Sequence, residues 1–132
     1  MIGSSTGCVP FPNIHYFAPA VAGIVTRDGQ PVAGAQVRVA SKFSASIQVG
    51  ATQPSGRFSV DPIRELRLTA TLVGEPLYGF EVEIVADGAR YAGYAEFGMG
   101  DARSELQLSC DLGHPIEQRN NVVYCTQTNE RG

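Results

Sequence analysis

Ala22-Gly23-Ile24-Val25-Thr26-Arg27-Asp28-Gly29-Gln30-Pro31-Val32-Ala33-Gly34-Ala35-Gln36-Val37-Arg38-Val39 reads as strand, turn, strand. Asp28-Gly29 supplies a turn at which positive φ costs glycine little, and Pro31 fixes φ and removes a ladder donor. Gly34 permits a second bend, after which Ala35, Val37 and Val39 alternate with Gln36 and Arg38. Two strands leaving this turn each carry one apolar face. Such faces must be buried against something, and the rest of the chain offers more of the same kind.

With 132 residues, the chain has the size of one domain able to bury a core. Hydrophobic residues are 43% and charged residues 17%, which favours folding over disorder. Fifteen Gly and eight Pro point to short extended segments joined by turns. A net charge of -3 supplies no basic field for nucleic acid. No apolar run approaches the roughly 18 to 20 residues that span a bilayer as a helix, and the first seven residues lack the basic start and apolar core of a signal peptide.

Residues 1–19 hold Pro10, Pro12 and Pro19 around an aromatic patch, so they are expected to be an irregular tether lying on the domain or on a partner. Alternation then marks strands in succession. Ala45, Ile47, Val49 and Ala51 form one apolar row, Phe58 and Val60 another, and Leu66, Leu68, Ala70 and Leu72 a third. Phe80, Val82 and Ile84 lead to Asp87-Gly88, a hairpin signal, with Tyr91, Gly93, Ala95 and Phe97 sharing a face on the return strand. Leu106, Leu108, Cys110 and Leu112 form the inward row of the last long strand, and residues 122–125 suit one short edge strand. The expected fold is all-β: an antiparallel two-sheet sandwich of seven or eight strands over residues 20–112, with residues 113–132 tied back onto it. Three cysteines allow three single pairings. Cys110 with Cys125 is favoured, because it closes a short loop and restricts the unfolded chain by roughly 3 kcal/mol.

Gly23-Ile24-Val25, the run from Asp28-Gly29-Gln30-Pro31 through Gly34-Ala35-Gln36-Val37, and Thr52 with Gly56-Arg57-Phe58 together resemble the carboxypeptidase regulatory-like domains. The resemblance covers about the first half of the domain and implies a transthyretin-like, or prealbumin-like, sandwich. It also implies an accessory module of an exported, periplasmic or surface protein. In that setting Gly7-Cys8 ahead of a proline-containing tether suggests a bacterial lipoprotein acylated on Cys8. A lipobox carries Leu three residues before the Cys, where this chain has Ser5. Either a leader precedes the recorded start or Cys8 is an ordinary thiol.

Residues able to do chemistry are sparse. His15 and His114 are the only histidines, and with Cys8, Cys110 and Cys125 they form no metal-ligand spacing, so neither metal nor cofactor is expected. The transthyretin-like hydrolases end in Tyr-Arg-Gly-Ser, and this chain ends Asn129-Glu130-Arg131-Gly132; intradiol dioxygenases need closely spaced His that are missing here. Lys42, the only lysine, follows the second strand and is badly placed for an isopeptide bond. Glu81, Glu83 and Glu96 read as the solvated side of a hairpin. The leading expectation is therefore a non-enzymatic interaction module of the cell envelope with a protein or envelope partner, no nucleic acid, and membrane attachment only through Cys8. The alternative is a carbohydrate- or small-ligand-binding module using Tyr91, Tyr94 and Phe97; an enzyme would need His15 or His114 to meet an Arg or a carboxylate in a cleft.

Overall fold

The structure, a computed structural model, describes residues 11–69 and 77–129. Cys8 and the rest of residues 1–10, Ala70, Leu72 and the side chain of Leu68 lie outside the described residues. Strand β1 spans Phe11–Ala18 and β2 spans Ala20–Arg27. Asp28 and Gly29 both adopt positive φ, 53° and 85°, which turns the chain tightly into the two-residue strand β3, Gln30–Pro31. Pairing stops at Pro31, and Gly34, at φ 73°, sends the chain away. Strand β4, Gln36–Ser41, consequently enters a different sheet from β2. The two strands of the opening stretch are thus not ladder neighbours, and their apolar sides contribute to one buried cluster, Val21 and Val25 from β2 with Val37 and Val39 from β4.

The remaining strands are β5 (Ile47–Ala51), β6 (Arg57–Val60), β7 (Ile63–Thr69), β8 (Leu77–Ala86), β9 (Ala89–Met99), β10 (Glu105–Asp111), β11 (Ile116–Gln118), β12 (Asn121–Val123) and β13 (Cys125–Gln127). The described residues are all-β, without a helix. One sheet has the order β13-β10-β2-β3, with β6 also pairing β2; another has the order β5-β4-β8-β9. Phe58, Val60, Leu106 and Leu108 from the first and Phe80, Val82 and Ile84 from the second join the same core cluster, an arrangement compatible with a β-sandwich.

Several expectations are corrected. The sheets are not wholly antiparallel, because β2 and β10 run parallel from Ala20↔Glu105 to Thr26↔Asp111. Alternation reports which face is buried and carries no information on the direction of the neighbour. The tether expected over residues 1–19 contains β1, paired antiparallel with β7. Pro12 lies within β1 opposite Leu68, as a two-stranded ribbon permits where no ladder donor is required. Strand β5 turns its apolar row outward, leaving Ile47 and Val49 exposed. Its inner side has no room for a side chain at Gly50, where a Cβ would lie 2.6 Å from the Ser59 carbonyl oxygen, and takes a polar one at Gln48, which donates to the Pro62 carbonyl at 3.1 Å. Leu66 is likewise exposed, opposite the exposed Ile14 of β1.

The single edge strand expected over residues 122–125 is split into β12 and β13. Between them the Tyr124 amide donates to the Ala92 carbonyl at 2.9 Å, linking this segment to β9. Cys110 and Cys125 stand opposite each other in the β10–β13 ladder and are joined by a disulfide, both buried. Replacing both with Ser is expected to cost about 3 kcal/mol, the loop-closure value for a sequence separation of 15. Thermal unfolding monitored by circular dichroism should shift down by roughly 10 °C. An unchanged midpoint would mean that the ladder holds this segment without the bond.

Candidate functional site

Strand β9 contains one extra residue. Val82 pairs with Tyr94 and Glu83 with Ala92, which leaves Gly93 as a bulge. A side chain there would crowd both the Cys125 sulfur and the Val82 carbonyl oxygen, each 3.0 Å from the point a Cβ would occupy. The bulge changes which residues face the core: Tyr91 lies inward before it, and Tyr94 and Glu96 lie inward after it, opposite Val82 and Phe80. Tyr91, Gly93, Ala95 and Phe97 therefore do not share a face, and Tyr91, Tyr94 and Phe97 do not form one aromatic platform. Tyr91 is half-buried edge-on to Tyr124, with ring centroids 5.1 Å apart, and its hydroxyl accepts from Arg27 at 3.1 Å. Tyr94 packs on the core, whereas Phe97 is 61% exposed on the outer side.

At the far end of the β8–β9 ladder, aromatic rings cover glycines across the strands. Phe97 lies over Gly79, where a Cβ would come within 2.4 Å of its ring. Tyr78 lies over Gly98 in the same way on the other side. Cross-strand covering of this kind restores packing that glycine lacks. The Tyr78 hydroxyl then donates to Glu96 Oε2 at 2.7 Å, and Tyr94 donates to Oε1 at 2.9 Å.

Arg103, arriving from the loop between β9 and β10, completes the group with Nη2 3.0 Å from Glu96 Oε1. The two side chains are only 14% and 15% exposed. That loop is pinned at both ends, by Ala102 N–H to the Tyr16 carbonyl and by Ala20 N–H to the Ser104 carbonyl. Burial acts against ionising Glu96, but the donors Tyr78, Tyr94 and Arg103 outweigh it and hold the carboxyl below its ordinary range. Burial, reinforced by the bond to Glu96, pushes the Tyr94 phenol up to about 12.

His15, on β1, is buried at the edge of this group. Its Nδ1 is 2.6 Å from Asp101 Oδ1, its Nε2 is 3.3 Å from the Leu77 carbonyl, and its ring stands edge-on to Phe17 at 4.4 Å. Tyr78, Glu96, Phe97, Gly98, Met99, Asp101 and Arg103 line an open cleft of about 420 Å³. A histidine thus does meet a carboxylate beside a cleft, but Asp101 Oδ1 lies against Nδ1 and the Leu77 carbonyl oxygen against Nε2, so neither nitrogen faces the cleft unobstructed. Glu96 likewise spends its oxygens on three side chains. Such fixed pairs suit recognition and positioning better than proton transfer to a substrate. Phe97 is the one member of the expected aromatic trio that reaches the cleft. Pairing of Glu96 with Arg103 and of His15 with Asp101 has no sequence signal, because both depend on where the loop after β9 crosses β1.

Glu81 and Glu83 face the other way from Glu96, toward Lys42, Arg38 and Arg90. Asp28, Asp111 and His114 offer ligand atoms close together at the β2–β3 turn. Asp111, however, is already committed: it accepts from the amides of Asp28, Gly29 and Gly113, from the Thr26 hydroxyl, and from His114 at 3.2 Å. Burial opposes its ionisation, and these donors more than offset it, so its carboxyl sits far below the ordinary value of 3.8. In turn Asp111 raises the affinity of His114 for its proton. The group fixes the turn. A depressed carboxyl stabilises the fold above its unfolded pKa and loses that contribution as pH falls through the folded value. Asp111→Ala is expected to cost about 1 kcal/mol at neutral pH, since the amides of Asp28, Gly29 and Gly113 lie at exposed positions and turn to water when the carboxylate is lost. In urea titrations the difference from the parent protein should shrink below pH 3.8.

No protein-family model, curated protein or solved structure matches the chain, so its functional reading rests on this geometry.

Proposed function

We propose that the chain is a non-enzymatic interaction module of an exported or cell-envelope protein, built as a transthyretin-like sandwich resembling the carboxypeptidase regulatory-like domains. The observation that carries this reading is the surface at the end of the β8–β9 ladder. Leu77 and Met99 are cross-strand partners, Phe97 and Phe43 both adjoin Gly79, and all four are substantially exposed. Clustered exposed apolar groups that include aromatic rings mark contact sites. The Cys110–Cys125 disulfide supports an oxidising compartment, and acylation of Cys8 would supply attachment to a membrane. A photo-reactive amino acid at position 97 should give a discrete crosslinked product in the cell envelope, while one at the distant Arg57 should not. Equal labelling from both positions, or none from either, would count against this surface as the contact.

A second reading, a module that binds a carbohydrate or another small ligand, is favoured by the cleft itself. Its volume of about 420 Å³ lies in the range of small-molecule sites, and a few fixed polar groups stand beside exposed Phe97.

A further inference from the structure

We propose that the cleft beside β9 binds a neutral, hydroxylated ring of the sugar class, stacked on Phe97 and hydrogen-bonded by Asp101. This deepens the second reading above and rests on it. Two features select the ligand. First, Phe97 rests over Gly79 and is 61% exposed, so the ring offers an open apolar surface to the C–H side of a sugar.

Second, Asp101 uses Oδ1 for both His15 and the Tyr16 amide, which leaves Oδ2 as an acceptor without a partner among the described residues; the side chain is 54% exposed. Arg103 serves the cleft wall, not the ligand: Nε and Nη2 are spent on Glu96, and Nη1 is enclosed by protein. The spare acceptor of Asp101 matches a ring hydroxyl, which can donate to it. An anionic ligand fits less well, because Glu96 and Arg103 neutralise each other and Asp101 repels anions.

The test is a two-dimensional amide NMR titration of the intact chain with glucose, galactose, N-acetylglucosamine and their short oligomers, with methylguanidinium and acetate as charged probes. At least one neutral sugar should give saturable shifts at Gly98, Asp101 and Arg103. Phe97→Ala and Asp101→Asn should each weaken that binding by roughly tenfold, the loss expected for one stacking face or one good hydrogen bond. Phe97 is a surface residue, and Asn retains an oxygen for His15, so both variants should keep the parent spectrum elsewhere. Unchanged affinity in both variants overturns the proposal. Binding of methylguanidinium or acetate in place of every sugar also overturns it, while leaving a small-ligand module standing. Absence of any saturable probe overturns the proposal and the second reading together, without touching the crosslinking result expected for the protein-contact surface.

Discussion

Replacing Gly23 with alanine is expected to destabilise the fold by about 4 kcal/mol, more than an ordinary overpacking substitution. Gly23 lies at the middle of β2, paired with Leu108 of β10 on one side and Phe58 of β6 on the other. A Cβ built on it would sit 2.1 Å from the Leu108 carbonyl oxygen and 2.9 Å from the carbonyl carbon. Both obstacles are backbone, so no rotamer change relieves them. Either β10 must move away from β2, or β2 must shift against β6. Because Leu106 and Leu108 fill the core beneath the parallel pair, separating the strands also opens a cavity. The measurement is urea unfolding followed by tyrosine fluorescence, with Gly29→Ala as a comparison. Gly29 has open space around the added methyl and only its φ of 85° to object, so its cost should be nearer 1 kcal/mol, on the order expected for Ala at positive φ. Equal costs at the two positions would show that the β2–β10 contact is slacker than these distances imply.

Gly23 also shows what is readable in the sequence and what is not. Alternation identifies the buried rows of β4, β6, β8 and β10, since Val37, Phe58, Phe80 and Leu108 each stand in a row of alternate apolar positions. Asp28-Gly29 and Asp87-Gly88 name their turns because both residues of such a turn need positive φ, which they adopt. Which strands become neighbours is a different kind of information. The β2–β10 pair joins residues far apart in the chain, from Ala20↔Glu105 to Thr26↔Asp111, and nothing local encodes its parallel direction.

Strand β5 misleads because its apolar row is chemically right for either face, and the deciding factor is the close approach of Ser59 to Gly50. The bulge at Gly93 misleads in the same way, since one added residue exchanges every subsequent side chain between faces. Through that exchange Glu96, which reads in the sequence as one more solvated carboxylate beside Glu81 and Glu83, becomes the buried centre of the cleft.

Glu96→Gln is accordingly expected to cost about 4 kcal/mol, the scale for removing one partner of a buried ion pair. The substitution leaves the Arg103 guanidinium, 14% exposed, without a counter-charge, and it removes the charged acceptor shared by Tyr78 and Tyr94. Arg103→Met should cost less, because Glu96 would retain both phenol donors. The double variant Glu96→Leu, Arg103→Met should recover part of the loss from Glu96→Gln, since it leaves no unpaired buried charge. Acidity gives an independent check. The Glu96 carboxyl is held below its ordinary value of 4.5 in the folded protein, so its contribution is complete above that value and disappears as pH falls through the folded one. The gap in unfolding free energy between the parent protein and Glu96→Gln should therefore be widest near neutral pH and narrow steadily below pH 4.5. A gap of constant size across that range would mean that Glu96 contributes through its shape alone, and that Arg103 finds its compensation elsewhere.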